Sequence, residues 1–416
     1  MATECSADLF GFGTVDGREV VAAFDGGMIT SDAGALLLGA TDRSIGMMAR
    51  LASCFGDTRR QDCAPVAGKS TLNRMELSRL QPTRYHKICQ NPIAIKRLLV
   101  DLFLEAHERA PHEIILDLDA TDDPVHGNQE GRFFHGYYDC YCYLPLYIFC
   151  GRHLLAAKLR PANMDAAEGA LEEVKRIVTH IRRKWPHARI ILRADSGFAR
   201  DDLMAWCEAN GVHFVFGLAK NDRLIAEIAN ELSRAQKTSR RTGKPARHFK
   251  GFMYRTHRSW TCRRRVVGKA EFTEGGANPR FVVTSLKRRE CKSKHLYEKL
   301  YCARGDMENR IKECQLDLYA DRTSTAALKA NQLRLWFASM AYVLLCALRR
   351  IGLQQTKYSD LTCGTLRLTF LKIGARVHIS VRRIKIAMTS GCPIASVWGD
   401  AARRLNVAAS PRAPPA

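Results

Sequence analysis

The spacing of apolar residues changes character at His112. Before it, ALLLGATDRSIGMMARLASCF, STLNRMELSRL and IAIKRLLVDLFLEAHERA place apolar side chains at helical intervals, after a Gly-rich stretch, DGGMITSDAG. Residues 1–109 are therefore expected to be a helical N-terminal region. From His112 the period shortens. HEIILDLDAT predicts a strand, and RFFHGYYDCYCYLPLYIFCGRHLLAAKLRP two antiparallel strands turned at Gly151. DAAEGALEEVKRIVTHIRRKW is a helix with Asp165 as its N-cap, and ARIILRADSGF a further strand. DDLMAWCEANG is a helix closed by Gly211, and VHFVFGLA another strand.

Residues 222–300 break that rhythm and suggest short strands joined by basic turns. Helices return over His295–Leu318 and Ser324–Arg350. VHISVRRIKIAM then predicts one basic alternating strand, and SPRAPPA a disordered end. The order strand, strand, strand, helix, strand, helix, strand and a late helix is that of an α/β, ribonuclease-H-like catalytic core with a strand-rich insertion. The expected division is 1–109 for the helical region, serving DNA binding or dimerisation, and 110–221 for the first part of the core. The basic insertion would take 222–294, the helical second part of the core 295–350, and a basic C-terminal region 351–416.

Charge sharpens this picture. Lys and Arg number 65 against 42 acids, a net charge of +23, which favours a polyanionic partner. Residues 222–300 hold 21 Lys and Arg against 7 acids, with Phe249, Phe252, Tyr254 and Trp260 interleaved. That mixture suits a surface tracking a phosphate backbone better than a merely solvated loop. The 15 cysteines are scattered without a CxxC pair, so neither a zinc site nor a disulfide framework is expected, and the thiols should be reduced in a cytoplasmic setting. The uncharged run Leu335–Leu348, about 14 residues, is too short to cross a bilayer and should be a core helix of a soluble protein.

The candidate chemistry sits in LDLDATDDPVHG, where Asp117, Asp119, Asp122 and Asp123 follow an apolar run. Asp117 and Asp119 end a buried strand and point to one face, so alternation does not choose between them. Asp195 ends the later strand IILRAD in the same way. Close carboxylates repel unless a cation lies between them, and hard oxygen donors favour Mg²⁺ or Mn²⁺. In YCARGDMENRIKECQLDL, Tyr301, Arg304, Glu308 and Gln315 share one helical face beside the apolar stripe Met307, Ile311, Cys314 and Leu318. An ordinary amphipathic helix with an Arg–Glu pair would read the same way. Asp122 and Asp123 fall past the strand, where Asp-Pro suggests a solvated turn. AGKST (67–71) is no phosphate loop, because Cys63 stands where a glycine is needed, so no nucleotide is expected.

In order and spacing, LDLDATDDPVHGNQEG, YLPLYIFCGRHLLAAKLRP, ILRADSGFAR, NPRFVVTSL, YCARGDMENRIKE and DRTSTAALKANQLRLWFASMAYVLL resemble the DDE transposases of bacterial insertion sequences, specifically the insertion-sequence 1380 family. The resemblance implies Asp119, Asp195 and Glu308 as the catalytic and metal-holding triad, with two Mg²⁺ or Mn²⁺ ions. It implies Tyr301 and Arg304 as phosphate contacts, Asp117 as a support behind Asp119, and Trp260 as a stacking platform for a distorted end base. Arg263, Arg264 and Arg265 are expected on DNA with them. A Lys expected seven residues after the Glu is replaced by Gln315, so Lys312 is the alternative contact. FGDTRRQDC runs almost directly into APVAGKSTLNRMEL, as though a segment were missing. The implied activity is cut-and-paste transposition in the bacterial cytoplasm by a homodimer on the terminal inverted repeats and target DNA. A catalytically inactive end-binding remnant and a repair nuclease of the same fold are the alternatives.

Overall fold

The computed structural model describes residues 28–58, 74–81 and 83–409, together with the backbone of two paired strands, Phe10–Val15 and Arg18–Ala22. The AGKST stretch, the junction after FGDTRRQDC and the SPRAPPA end lie outside the described residues. The chain divides into two compact units, one formed by residues 1–47 with 344–416, the other by Met48–Val343. The first unit therefore draws on both ends of the chain. In the first unit, Ile29–Thr30 pairs with Ala375–Ile379, which pairs with Ile384–Met388. VHISVRRIKIAM is therefore a hairpin turned at Ser380–Arg383 rather than one strand. The N-terminal residues contribute to this sheet, and are not all helical.

The second unit is built on a nine-stranded sheet. Its strands are β1 (Glu113–Ala120), β2 (Leu146–Cys150), β3 (His153–Lys158), β4 (Arg189–Ala194) and β5 (His213–Leu218). Then come β6 (Ala246–Tyr254), β7 (Arg264–Thr273) and β8 (Arg280–Thr284), with a two-residue strand, Gly276–Ala277, on β7. The spatial order is β3-β2-β1-β4-β5-β8-β7-β6. β1, β4 and β5 run parallel; the outer pairs are antiparallel. Parallel neighbours need crossover connections, which the helices between them supply.

Alternation along each strand gives the sheet two faces. One face carries Leu116, Leu118, Ile190, Leu192, Phe214, Phe216, Val266 and Val283, all buried. Covering it are α1 (Pro92–Glu105), α2 (Ala170–Lys184), α3 (Asp201–Ala209) and α4 (Ala229–Thr242). Asn91 caps α1 by accepting from the Ala94 amide at 3.1 Å, with Pro92 in the first turn. For α2 the expected cap fails. Asp165 closes an earlier turn through the Ala167 amide, and the helix starts after Gly169 in a left-handed conformation.

The opposite face carries Ile191, Val215, Val267 and Val282 and is covered by α5. This helical stretch runs without interruption from Ser293 to Asp317, through Ser293–His295, Leu296–Tyr301, Cys302–Arg304, Gly305–Lys312 and Glu313–Asp317. Its Leu296, Tyr297, Leu300 and Tyr301 pack on that face. The region 222–294 is not the set of short strands expected. It opens with the helices Asp222–Glu227 and α4, and β6 to β8 continue the main sheet. The helix Leu328–Gly352 is longer than the apolar run implied, long and apolar enough to cross a membrane, and 56% of its most apolar window is buried inside the protein.

Candidate active site

Strand register brings the first two acids together. β1 and β4 pair in parallel with Asp117 opposite Arg193 and Leu118 opposite Ala194, so the next step sets Asp119 beside Asp195. These strands end there, and chain ends of a parallel sheet are where polar groups gather in α/β folds. Asp195 turns the chain into the short helical turn Ser196–Phe198, accepting from the Gly197 amide at 2.9 Å. Asp119 takes its neighbour's amide, that of Ala120, at 3.0 Å.

The third acid arrives on α5. Arg304 donates to Asp119 at 3.3 Å and to Glu308 at 2.7 Å, one turn further on. Burial pushes the Asp119 carboxyl up to about 7; Arg304 opposes this, while Asp195 and Glu308 add to it. Burial also works against the charge of Arg304, yet Asp119, Glu308 and Asp195 hold it above its ordinary value. Arg304 thus bridges Asp119 and Glu308, while Asp195 acts on it only through space. Such a set of hard oxygen donors, with too little positive charge among them, fits a divalent cation. Among the described residues no group of three or more His, Cys, Asp or Glu side chains is already arranged to close around a metal ion.

Asp117 has a different task. It is 2% exposed and receives Arg193 in a two-pronged pair, at 2.5 and 2.8 Å. The third arm of Arg193 donates to the Leu300 carbonyl on α5 at 2.7 Å. The pair therefore fastens the helix bearing Glu308 to the strand bearing Asp119. Burial pushes the Asp117 carboxyl up, with Arg193 opposing.

Tyr301 stands over β5, and burial raises its phenol. A side chain at Gly217 would put its Cβ 2.6 Å from the Tyr301 hydroxyl and 2.9 Å from the Ser196 amide nitrogen. Gly217 is thus required by the close approach of α5 and the Asp195 turn, and sequence reasoning did not single it out. The only signal was a glycine inside an apolar strand, which marks a close approach.

The remaining candidates part company. Lys312 is exposed on α5. Gln315 donates to the Asp122 carbonyl at 2.9 Å, fixing the loop after β1. Trp260 is corrected: it is 3% exposed, in the core with Tyr254 edge-on, and offers no stacking face. Arg264 is corrected too. It is buried, bonded to Glu208 at 2.8 and 2.9 Å and to Asp201 at 2.5 Å. Arg263 is exposed, and Arg265 is half-buried with one arm on the Leu286 carbonyl at 2.8 Å. Asp123 is not on a solvated turn. It is 1% exposed, both carboxylate oxygens lack a hydrogen-bond partner, and burial with Asp321 and Asp122 pushes it up to about 8.

The second unit is thus an α/β unit whose central strands and crossing helix bring acids to one sheet end. Comparison with known proteins gives the family: residues 12–64 and 60–410 match the family model described as transposase DDE domain group 1, and the chain belongs to that family. No curated protein matches it. Among solved structures, it is similar to the piggyBac transposase synaptic complex with hairpin DNA, with 10% identity and a TM-score of 0.39. That match covers 82% of this chain and 80% of the other.

Proposed function

We propose that this chain is the transposase of an insertion sequence, of the insertion-sequence 1380 type, which cuts DNA at the element's ends and joins them to a target. The observation that carries the reading is that Arg304 bridges Asp119 and Glu308 from α5 while strand register sets Asp195 beside Asp119. The strand order, with two antiparallel strands flanking a parallel trio, supports a ribonuclease-H-like core.

Asp119, Asp195 and Glu308 would hold two Mg²⁺ or Mn²⁺ ions, which when bound supply an activated water or 3′-hydroxyl and charge for the leaving oxygen. In the first step, water oxygen bonds to phosphorus, the bond from phosphorus to the element's 3′ oxygen breaks, and that oxygen takes a proton. In the second, the freed 3′-hydroxyl attacks a target phosphorus and displaces another 3′ oxygen. Ester is exchanged for ester, so no external energy is needed. Arg304, which lies beside Asp119 and Glu308, would offer its guanidinium to the scissile phosphate. Arg193 and Asp117 keep Glu308 in register with Asp119. Holding both element ends calls for a homodimer on DNA, working in the bacterial cytoplasm.

A catalytically inactive end-binding remnant is the second reading, favoured by the neutral Gln315 where the resembling signature carries a Lys. A strand-cleavage assay on DNA carrying the element's own ends, with Mg²⁺ or Mn²⁺, separates the two. Wild type should cut, and Asp119→Ala should bind but not cut. A wild type that binds the ends and never cuts them establishes the remnant instead.

A further inference from the structure

The sheet face that carries Asp119 continues, strand by strand, to a basic groove. Following the register, Asp119 lies beside Asp195, then Gly217 pairs with Val282, Val282 with Val267, and Val267 with Gly251. Gly251 lines a groove of about 1450 Å³ between β6 and the loop 285–294. Five strand steps separate the two places, roughly 24 Å at about 4.8 Å per strand.

The helix α5 gives the same separation independently. It begins in the groove, where the Ser293 hydroxyl would lie 2.9 Å from a Cβ on Gly251. It then passes Phe249 with Tyr297, Gly217 with Tyr301, and ends its crossing with Arg304 on Asp119. From Ser293 to Glu308 the helical rise amounts to roughly 22 Å. One rigid element therefore connects the groove with the acids.

The groove is built to present cations. Lys287, Arg288, Arg289, Lys292 and Lys294 line it, all exposed and, among the described residues, in no ion pair. Their loop is anchored on both sides by the buried Leu286 and Cys291. Arg265 and Ser293 clasp across it at 3.3 Å, and Glu290 accepts from the Lys287 amide at 2.6 Å. The acid on the groove lining, Glu208, is already bonded to Arg264. Arg263 adds a cation from the strand side. A solvated basic loop would not be fixed in this way over a concave surface.

We propose that this groove holds the phosphate backbone of duplex DNA, six or seven base pairs from the phosphate brought to Asp119, Asp195 and Glu308. That spacing is roughly 22–24 Å divided by about 3.4 Å per base pair. The site rests on the transposase reading for its purpose, and its test does not need cleavage. Binding of the full-length protein to a labelled 30-base-pair duplex of arbitrary sequence is measured by fluorescence anisotropy in EDTA, over a range of NaCl concentrations. Arg288→Ala/Arg289→Ala/Lys292→Ala should lower the slope of log affinity against log salt by about two to three units, at about 0.9 per phosphate contact. Affinity should fall at least tenfold, with unchanged circular dichroism. The control Lys237→Ala/Arg240→Ala/Arg241→Ala removes equal charge from α4, outside the groove, and should change the slope by less than one unit.

Equal losses in the two variants, or an unchanged slope in the groove variant, overturn the proposal. On a duplex bearing the element's end, ethylating phosphates six or seven nucleotides from the cut should weaken wild type and leave the groove variant unaffected; interference at unrelated positions also overturns it. A wild type that keeps this binding but cuts nothing refutes the transposase reading and leaves the groove standing.

Discussion

At the scale of single residues, two acids on one strand face, two positions apart, do opposite things. Asp117 is paired, and Asp119 is crowded by other acids. Breaking a buried pair leaves an uncompensated charge and typically costs about 3–5 kcal/mol. Asp117→Asn should therefore lower stability by that order in urea unfolding. Asp119→Asn relieves repulsion and should leave stability unchanged or slightly raised while abolishing cleavage. If Asp119→Asn unfolds as readily as Asp117→Asn, the division of labour is wrong. Asp123 supplies the pH dependence. Its folded pKa, about 8, lies above the ordinary 3.8, so the folded state holds a proton that the unfolded chain releases. Its contribution is full below about pH 4 and is lost as pH rises toward 8. Asp122 and Asp321 face it as the acids that raise it. Asp123→Asn keeps the shape without the ionisation. Thermal scans at pH 5 and pH 8 should show wild type losing about 1–3 kcal/mol that the variant retains, the scale of an unpaired buried polar group. Parallel pH profiles for the two proteins would refute this.

At the scale of elements, the site depends on how closely α5 approaches β5. Gly217→Ala places a methyl against the Tyr301 hydroxyl and the Ser196 amide, so helix or turn must yield. Overpacking of this kind costs about 1–3 kcal/mol, and here it displaces Asp195 or Arg304. Cleavage should fall at least tenfold while binding to arbitrary duplex DNA stays within twofold; a variant as active as wild type shows that the contact is slack. The carboxylates themselves were legible, because an acid ending a buried strand is rare and the order of motifs is specific. Asp117 against Asp119 was not, since both point to one face and only the partner Arg193, 76 residues later, separates them. Trp260 and Arg264 looked like surface chemistry because each sits in the basic run TCRRRVV or at its edge. Alternation cannot reveal that β7 enters the main sheet and takes both into its core. The helix α4 was missed for a related reason: of ANELSRAQKTSRRT only Ala235 is fully buried, too faint an apolar stripe to mark a period. Likewise the pairing of the N-terminal residues with Ala375–Ile379 joins positions more than 300 apart, which no local pattern encodes.

At the scale of the whole molecule, the segment between Asp195 and Glu308 is part of the core and cannot be treated as an appendage. β8 pairs with β5, and β7 and β6 follow, so Val266, Phe281 and Val283 share a core with Phe214 and Phe216. Trp260 and Tyr254 close that core from the far end. Excising 222–292 would strip these side chains from β5 and leave its backbone as an open edge, a template for aggregation. It would also free the start of α5, whose Leu296 and Tyr297 pack on Val267 and Val282. The variant is therefore expected to be insoluble, or to lack a cooperative thermal transition, even though Asp119, Asp195 and Glu308 are all retained. An insertion that merely decorated a finished core would behave otherwise. Its removal would leave a soluble, cooperatively folding protein that still cuts DNA and has lost only its salt-sensitive binding. Expression of the excised chain, followed by calorimetry and the cleavage assay, chooses between these. Survival of folding would mean that the parallel trio, β1, β4 and β5, with their antiparallel neighbours, carry the site alone. Its collapse would mean that the basic groove and the acids are two ends of one cooperative sheet, bridged by one helix.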